Sequence, residues 1–340
     1  MVSLPVNWPQ RLSLASFPTP FHSLDRLSSA LKGPRIWLKR DDLSGFLLSG
    51  NKVRKLEFTL FNARQQGYNL LITCGGLQSN HCRATAFAGA QLGIPVHLVL
   101  RGLAEGLADA NLLLNYLAGA RISCVPEQQY RQELDTLLES TAEHYREKGY
   151  KPYIIPTGAS NGIGVWGYLA ACQELKADFQ RHNIQPEWIV TATGSGGTQA
   201  GLSLGNQVFA LSSKVLGMAV CDDEDYFQAK VKSDLKEFSE QFPKAFSFVL
   251  PELEVATNDQ YVGEGYGLAS AAVMQTICDV ARQEGVLFDP VYTGKAFHGL
   301  LEDIKAGRYR GVGDIVFIHT GGTFGLFPYK QQLVDIMGTG

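Results

Sequence analysis

Short β-branched runs alternate along this chain with longer stretches whose apolar residues recur every three to four positions. The runs Arg35–Lys39, Asn69–Cys74, Val96–Leu100, Ile122–Val125, Pro152–Pro156, Trp188–Thr193, Val215–Val220 and Asp314–Ile318 predict strands. Val53–Gln66, Arg83–Leu92, Gln129–Lys148 and Ile163–Phe179 carry the helical repeat. Strand and helix in regular succession predict α/β units around mainly parallel sheets. Several of the strands run into glycine, serine or threonine, as at Cys74-Gly75-Gly76, Pro156-Thr157-Gly158, Thr193-Gly194-Ser195 and His319-Thr320-Gly321-Gly322. In open α/β sheets ligands bind beyond the carboxyl ends of the strands, so these turns are expected to ring the site. At 340 residues the chain exceeds one compact core and predicts two lobes, although no repeat or low-complexity linker marks their edges.

Composition narrows the function classes. Hydrophobic residues at 45% and charged residues at 19% fit a folded globular protein. The net charge of −3 offers no basic excess for nucleic acid. No apolar stretch reaches the roughly 18 residues of a membrane span. The segment Met1–Pro20 has no basic-then-apolar leader pattern. Six scattered cysteines form no C-x-x-C pair and no metal spacing, so no metal is expected. Reduced thiols in a cytoplasmic protein are the expectation.

Chemistry concentrates in five segments. In Ser49-Gly50-Asn51-Lys52 a lysine stands where a loop enters a helix that Ser49 or Asn51 is suited to cap. A lysine at the positive end of a helix dipole sheds its proton more readily, and a neutral amine is what imine formation requires. The same lysine, with Arg54 and Lys55, also reads as a solvated basic face. Gly75–Arg83 gathers Gln78, Ser79, Asn80 and His81 at a helix start, a turn that suits a carboxylate or phosphate, or serves simply as a polar N-cap. Gly194–Gly201 (GSGGTQAG) frees backbone N–H groups to converge on an anion ahead of a helix starting near Thr198. Its four glycines in eight residues favour phosphate binding over a plain turn. In Asp289–Lys295 (DPVYTGK) Pro290 ends one element, and Tyr292 and Thr293 fall at the start of the next. Thr320 sits in the last of the strand-end turns. A separate G-x-G-x-x-G match at Gly162, Gly164 and Gly167 reads first as glycine-permitted helix packing.

Taken in this order, from Phe17-Pro18-Thr19-Pro20 through Phe317–Gly322, these segments resemble the D-cysteine desulfhydrase and 1-aminocyclopropane-1-carboxylate (ACC) deaminase family. That family belongs to the tryptophan synthase β-like, fold type II enzymes that use pyridoxal 5′-phosphate (PLP). The resemblance implies a two-lobed, three-layer α/β/α fold. The larger, cofactor-binding domain would comprise residues 1–51 and 161–340, the smaller residues 52–160. It implies Lys52 as the Schiff-base lysine and proton shuttle, and Asn80 on the cofactor's 3′-oxygen. Gly194, Ser195, Gly196, Gly197 and Thr198 would cradle the phosphate, and Thr293 and Thr320 would flank the ring nitrogen. Gln78, Ser79 and His81 would receive the substrate carboxylate, while Tyr292 and Tyr266 line the reaction face. A homodimer acting on a small amino acid is implied too.

Two positions separate the branches. ACC deaminases resemble this pattern but carry glutamate at 293 and leucine at 320, where this chain has two threonines. A carboxylate keeps the pyridine nitrogen protonated and the ring a strong electron sink, and a threonine hydroxyl does so less. Opening a cyclopropane, which has no good leaving group, needs that help more than expelling a thiol does. The pair therefore points to conversion of D-cysteine to pyruvate, ammonia and hydrogen sulfide. An ACC deaminase and a lyase for a related amino acid such as L-cysteate are the alternatives within the family. A nicotinamide-dependent oxidoreductase built on Gly162, Gly164 and Gly167, and a non-catalytic small-ligand binder, are the alternatives outside it.

Overall fold

The computed structural model describes residues 5–247 and 253–338. Its strands are β1 (Phe21–Ser23), β2 (Arg35–Arg40), β3 (Leu70–Gly76), β4 (Val96–Arg101), β5 (Arg121–Val125), β6 (Pro152–Ile154), β7 (Trp188–Thr193), β8 (Lys214–Ala219), β9 (Ala256–Asn258) and β10 (Asp314–His319). All eight strands predicted from the sequence are present. The two that pattern did not suggest, β1 and β9, are three residues each, too short to show a period.

Two sheets result. One has the order β1-β2-β10-β7-β8-β9 and is parallel except for the antiparallel β1 edge. The other, β5-β4-β3-β6, is parallel throughout and is drawn from the chain between β2 and β7. Parallel strands buried on both faces need apolar side chains in both directions, and β10 shows this. Its Ile315 and Phe317 pack with Ile277, Phe297 and Leu300, whereas Val316 and Ile318 pack with Trp166, Leu169 and Leu202. In the smaller sheet Leu71 and Leu98 meet Leu56 and Leu60 of helix Asn51–Gln65. On its opposite face Leu70 and Ile72 meet Tyr130 and Leu138 of helix Glu127–Arg146. Helix, sheet and helix thus stack in three layers about each sheet.

Helix Asn51–Gln65 starts differently from expectation. Gly50 holds the cap position at φ +90 with no side-chain cap bond. A Cβ there would stand 2.6 Å from the Thr320 carbonyl oxygen, which instead accepts from the Asn51 N–H at 3.0 Å. Glycine is selected because backbone meets backbone, and neither Ser49 nor Asn51 is needed as a cap. The G-x-G-x-x-G glycines serve close packing. A Cβ on Gly167 would lie 2.7 Å from the Arg54 and Lys55 backbone, so helix Val165–His182 rests directly on helix Asn51–Gln65.

That contact is reinforced by charge. Arg54 is buried and donates to Asp41 at 2.9 and 2.7 Å and to Glu174 at 2.8 and 3.0 Å. Lys39 completes the group on Asp178 at 2.7 Å. Burial alone would raise the Asp41 carboxyl, but the Arg54 guanidinium outweighs it and holds the group below the usual carboxylate range.

Candidate active site

The turns after β3, β7 and β10, with the start of helix Asn51–Gln65, converge on one cavity. Asn51, Lys52, Asn80, Thr193, Gly194, Ser195, Gly196, Thr198, Tyr292 and Thr320 line it. It opens into a wider cleft bounded by Ser79, His81, Arg101, Gly158 of the turn after β6, Tyr266 and Tyr292, with Lys52 common to both.

Lys52 projects from the first turn of its helix toward Ser195, with Nζ 3.4 Å from Oγ. Burial pulls its ammonium down to about 8. A lysine at its ordinary value is about a thousandth neutral near pH 7.5, and one near 8 is about a quarter neutral. The solvated basic face is not what forms, since Arg54 and Lys55 are both buried. Lys55 lies one helical turn on, donating to the Gly158 carbonyl and Ser160 Oγ at 3.0 Å each. Burial first, then the neighbouring Lys52, drives Lys55 well below its ordinary value. Sequence reasoning gave Lys55 no role, although the i, i+3 spacing from Lys52 was available as a signal.

Opposite Lys52 the chain turns at Gly196, φ +82, into helix Gly197–Val208. A Cβ on Gly197 would sit 2.7 Å from Ser160 Oγ and 2.9 Å from Lys55 Nζ. Only a bare backbone lets the helix start come this near those two groups. Asn51 Nδ2 donates to Thr198 Oγ1 at 3.0 Å, tying the lysine's helix to this loop.

Asn80 has its amide orientation set from behind. Its Oδ1 accepts from Arg83 Nη1 at 3.1 Å and Asn111 Nδ2 at 2.9 Å, which leaves the amide nitrogen as the donor for the cavity. Ser79 caps helix Asn80–Leu92, accepting from the Cys82 N–H. Tyr266 and Tyr292 meet hydroxyl to hydroxyl at 2.5 Å. Burial raises both phenols, Tyr266 to about 12 and Tyr292 well above 10.

Not every predicted site residue faces the cavity. The Gln78 side chain is turned out of the cleft, donating to the Asp109 carbonyl and accepting from the Asn111 N–H. His81 borders the cleft, but its Nε2 is bonded to Thr73 Oγ1 at 2.7 Å. Thr73 spends its own hydroxyl hydrogen on the Ile155 carbonyl, so His81 is the donor of that pair. Thr293 is fully buried and gives its hydroxyl hydrogen to Asp289 at 2.7 Å, whereas Thr320 lines the cavity. Thr193, Arg83, Asn111 and Arg101 carry no individual assignment in the sequence reading. Thr193 and Arg83 lie within the strand-end turn and the Gly75–Arg83 segment, whereas Asn111 and Arg101 join the site through partners distant in sequence, which no local motif announces.

A two-lobed parallel α/β fold that sets a lysine of lowered proton affinity against a glycine-lined helix start defines an enzyme with a phosphorylated, lysine-bound cofactor. The profile of the family described as pyridoxal-phosphate dependent enzyme matches residues 12–321, and the chain belongs to that family. The bifunctional D-cysteine desulfhydrase/1-aminocyclopropane-1-carboxylate deaminase of Arabidopsis thaliana is 38% identical, over 96% of this chain and 81% of its own length. The D-cysteine desulfhydrase of Serratia proteamaculans is 38% identical over 95% of this chain and 97% of its own. A crystal structure of an ACC deaminase homologue superposes with a TM-score of 0.86 at 35% identity, covering 96% of each chain. Threonine deaminase, at 17% identity and a TM-score of 0.61, shares the fold. The chain is a PLP-dependent lyase of fold type II. Among the described residues no helix is long and apolar enough to cross a membrane.

The cavity fits this cofactor. The glycine turn with Lys55 close behind suits a phosphate. The Asn80 amide nitrogen suits an oxygen acceptor, and the buried Thr193 hydroxyl has no protein partner. Gly158 tests how tight the fit is. It has φ +67, and a Cβ on it would stand 2.4 Å from Ser195 Oγ and 2.8 Å from Lys52 Nζ. Gly158→Ala should therefore weaken cofactor affinity on the order of tenfold or more, through the displaced lysine and the left-handed backbone. Titrating the apo chain with pyridoxal phosphate measures this. Unchanged affinity would show that the turn yields freely.

Proposed function

We propose that the enzyme removes a β-substituent from a small amino acid, with D-cysteine to pyruvate, ammonia and hydrogen sulfide as the leading reaction. The observation that carries this is the make-up of the cofactor cavity. Among the described residues its lining offers hydroxyls, amides and one amine, but no carboxylate. A lining of that kind favours expulsion of a good leaving group over ring opening.

PLP, held by Lys52, Asn80, Thr320 and the loop Gly194, Ser195, Gly196, Gly197 and Thr198, supplies the sink for the electron pair left at the substrate Cα. Thr293 steadies the turn that carries Tyr292 through its bond to Asp289, which also accepts from the Tyr292 N–H, rather than by facing the cavity. Lys52, neutral for a useful fraction of the time, takes the Cα proton, with the Ser79 hydroxyl beside it. The N–H groups at the start of helix Asn80–Leu92 and Ser79 receive the substrate carboxylate, with the His81 ring as the adjoining wall. Gln78 supports them by holding the turn onto Asn111. The paired Tyr266 and Tyr292 donate a hydrogen bond to the departing sulfur. Phenols this weak do not protonate a thiolate, whose conjugate acid titrates well below them, so the sulfur leaves as the anion steadied by that hydrogen bond.

The same reading carries the division into residues 52–160 and the remainder, a cytoplasmic location and a homodimer. Exposed Leu107, Leu113 and Leu117, on and just before helix Ala110–Leu117, are apolar surface that a second copy would cover.

A second substrate, an amino acid with an anionic β-substituent such as L-cysteate, is favoured by Arg101. Its guanidinium lies over the Tyr266 ring at 4.7 Å, borders the cleft and forms no ion pair among the described residues. Purified enzyme offered D-cysteine, L-cysteine, D-serine, L-cysteate and ACC should give pyruvate and sulfide from D-cysteine. Keto acid from ACC with no sulfide from D-cysteine would reverse the assignment. Preference for cysteate would promote the second substrate.

A further inference from the structure

The turn that carries Tyr266 contains three glycines at positive φ, Gly263 (φ +66), Gly265 (φ +127) and Gly267 (φ +78). Such a segment has more backbone freedom to lose than any other composition. Yet it must keep the Tyr266 hydroxyl 2.5 Å from that of Tyr292. Lys295, the third residue of helix Thr293–Lys305, supplies the restraint. Its side chain is 2% exposed, and Nζ donates to the Gly265 carbonyl at 2.5 Å, the Val262 carbonyl at 2.9 Å and the Val220 carbonyl at 3.4 Å.

These acceptors lie on two separate segments. Val262 and Gly265 bracket the turn just ahead of Tyr266, and Val220 follows β8. The lysine itself lies less than one helical turn beyond Tyr292, on the helix that Tyr292 begins. One ammonium with three divergent donors can gather all of them, which neither a hydroxyl nor an amide can do. No carboxylate pairs with it among the described residues, and a buried charge without a counter-ion is costly to keep. An apolar side chain of the same length would fill this space without that penalty, so the charge is explained by the carbonyls it collects. Tyr329 adds a second tie by donating its hydroxyl to the Gly267 carbonyl.

We propose that Lys295 is a positioning residue that sets the distance between Tyr266 and Tyr292 and thereby the hydrogen-bond donation to the leaving group. This rests on the reading of the tyrosine pair given above. In the holoenzyme, Lys295→Met should lower kcat with D-cysteine on the order of 10²-fold, as misplacement of a catalytic group by about 1 Å does, and leave KM within about twofold. Tyr266→Phe alone should cost a similar factor. The double variant should lose no more than about twofold beyond the worse single variant, because both changes remove the same interaction.

Amide hydrogen exchange gives a readout independent of turnover. Lys295→Met should speed exchange across residues 262–268 about tenfold or more and leave residues 200–207 unchanged. Losses that multiply in the double variant, or unaltered exchange in 262–268, would overturn the proposal. If Tyr266→Phe alone left turnover intact, the reading of the tyrosine pair would fail, and exchange would still decide whether Lys295 pins the turn. Should Lys295→Met not fold, Lys295→Gln, which keeps two donors on a shorter arm and loses the charge, is held to the same criteria.

Discussion

Lys52→Ala should reduce turnover by about 10⁴-fold or more, because under the proposed mechanism it removes both the cofactor's covalent anchor and the group that takes the Cα proton. The fold should survive. Lys52 makes one long contact, 3.4 Å to Ser195 Oγ, and its methylenes are not part of the apolar core. The melting temperature of the apo chain should therefore shift by no more than about 2 °C. Lys52→Arg should be as inactive as the alanine variant, since a guanidinium stays protonated throughout the accessible pH range. Sulfide release, and the visible absorbance of the lysine-bound cofactor, are the measurements. Activity retained by Lys52→Ala would move the chemistry to another amine, and the buried Lys55, one helical turn on, is the first to consider. In the wild type the activity should rise with pH toward about 8, as the Lys52 ammonium gives up its proton.

Arg54→Met should be the most damaging change to stability. It leaves Asp41 buried without its directly bonded counter-charge, retaining the Lys39 charge nearby, the Thr19 hydroxyl at 2.9 Å and the Tyr168 hydroxyl at 2.5 Å. Breaking one side of a buried pair costs about 3–5 kcal/mol, which for a chain of this size corresponds to roughly 4–7 °C in melting temperature. The loss should depend on pH in a defined sense. In the wild type the folded-state Asp41 carboxyl lies below its unfolded value, so its contribution is present at neutral pH and is lost as pH falls through the folded value. Without Arg54 burial raises that carboxyl above the unfolded value, and protonation then relieves the strain. The gap between variant and wild type should narrow on going from pH 7 to pH 5 in thermal unfolding. A gap that widens would mean that Asp41 is not the group left stranded. Cofactor affinity should fall as well, because Arg54 is two residues from Lys52 on the same helix.

Local sequence carries some of these features and is silent on others. The strands were legible because a parallel strand covered on both faces must be a β-branched run, and the turns were legible because they follow those runs. Lys52 and the Gly194–Thr198 loop stood out because each carries its own chemical signature within a few residues. Gln78 and Thr293 did not behave as their motifs suggested. Asp109 and Asn111, some thirty positions away, claim the Gln78 side chain, and Asp289 takes the hydroxyl hydrogen of Thr293. The cap of helix Asn51–Gln65 was misjudged for a similar reason, since what selects Gly50 is the Thr320 carbonyl, which only the folded chain brings there. Arg101 and Lys295 act across elements and leave no periodic trace.

The crossing of residue 50 over residue 321 has a consequence for how this chain can vary. Gly50 has φ +90 and Gly321 φ +95, and a Cβ on Gly321 would stand 3.0 Å from the Gly50 Cα. The two segments that meet there are nearly the whole length of the molecule apart along the chain. A methyl group on either one would push the lysine's helix off its seat, and no change at the other could make room, because both already lack a side chain. Drift is therefore closed at both positions together, and variation near this site has to come from the cleft walls, where residues such as Arg101 can be exchanged without moving the amine.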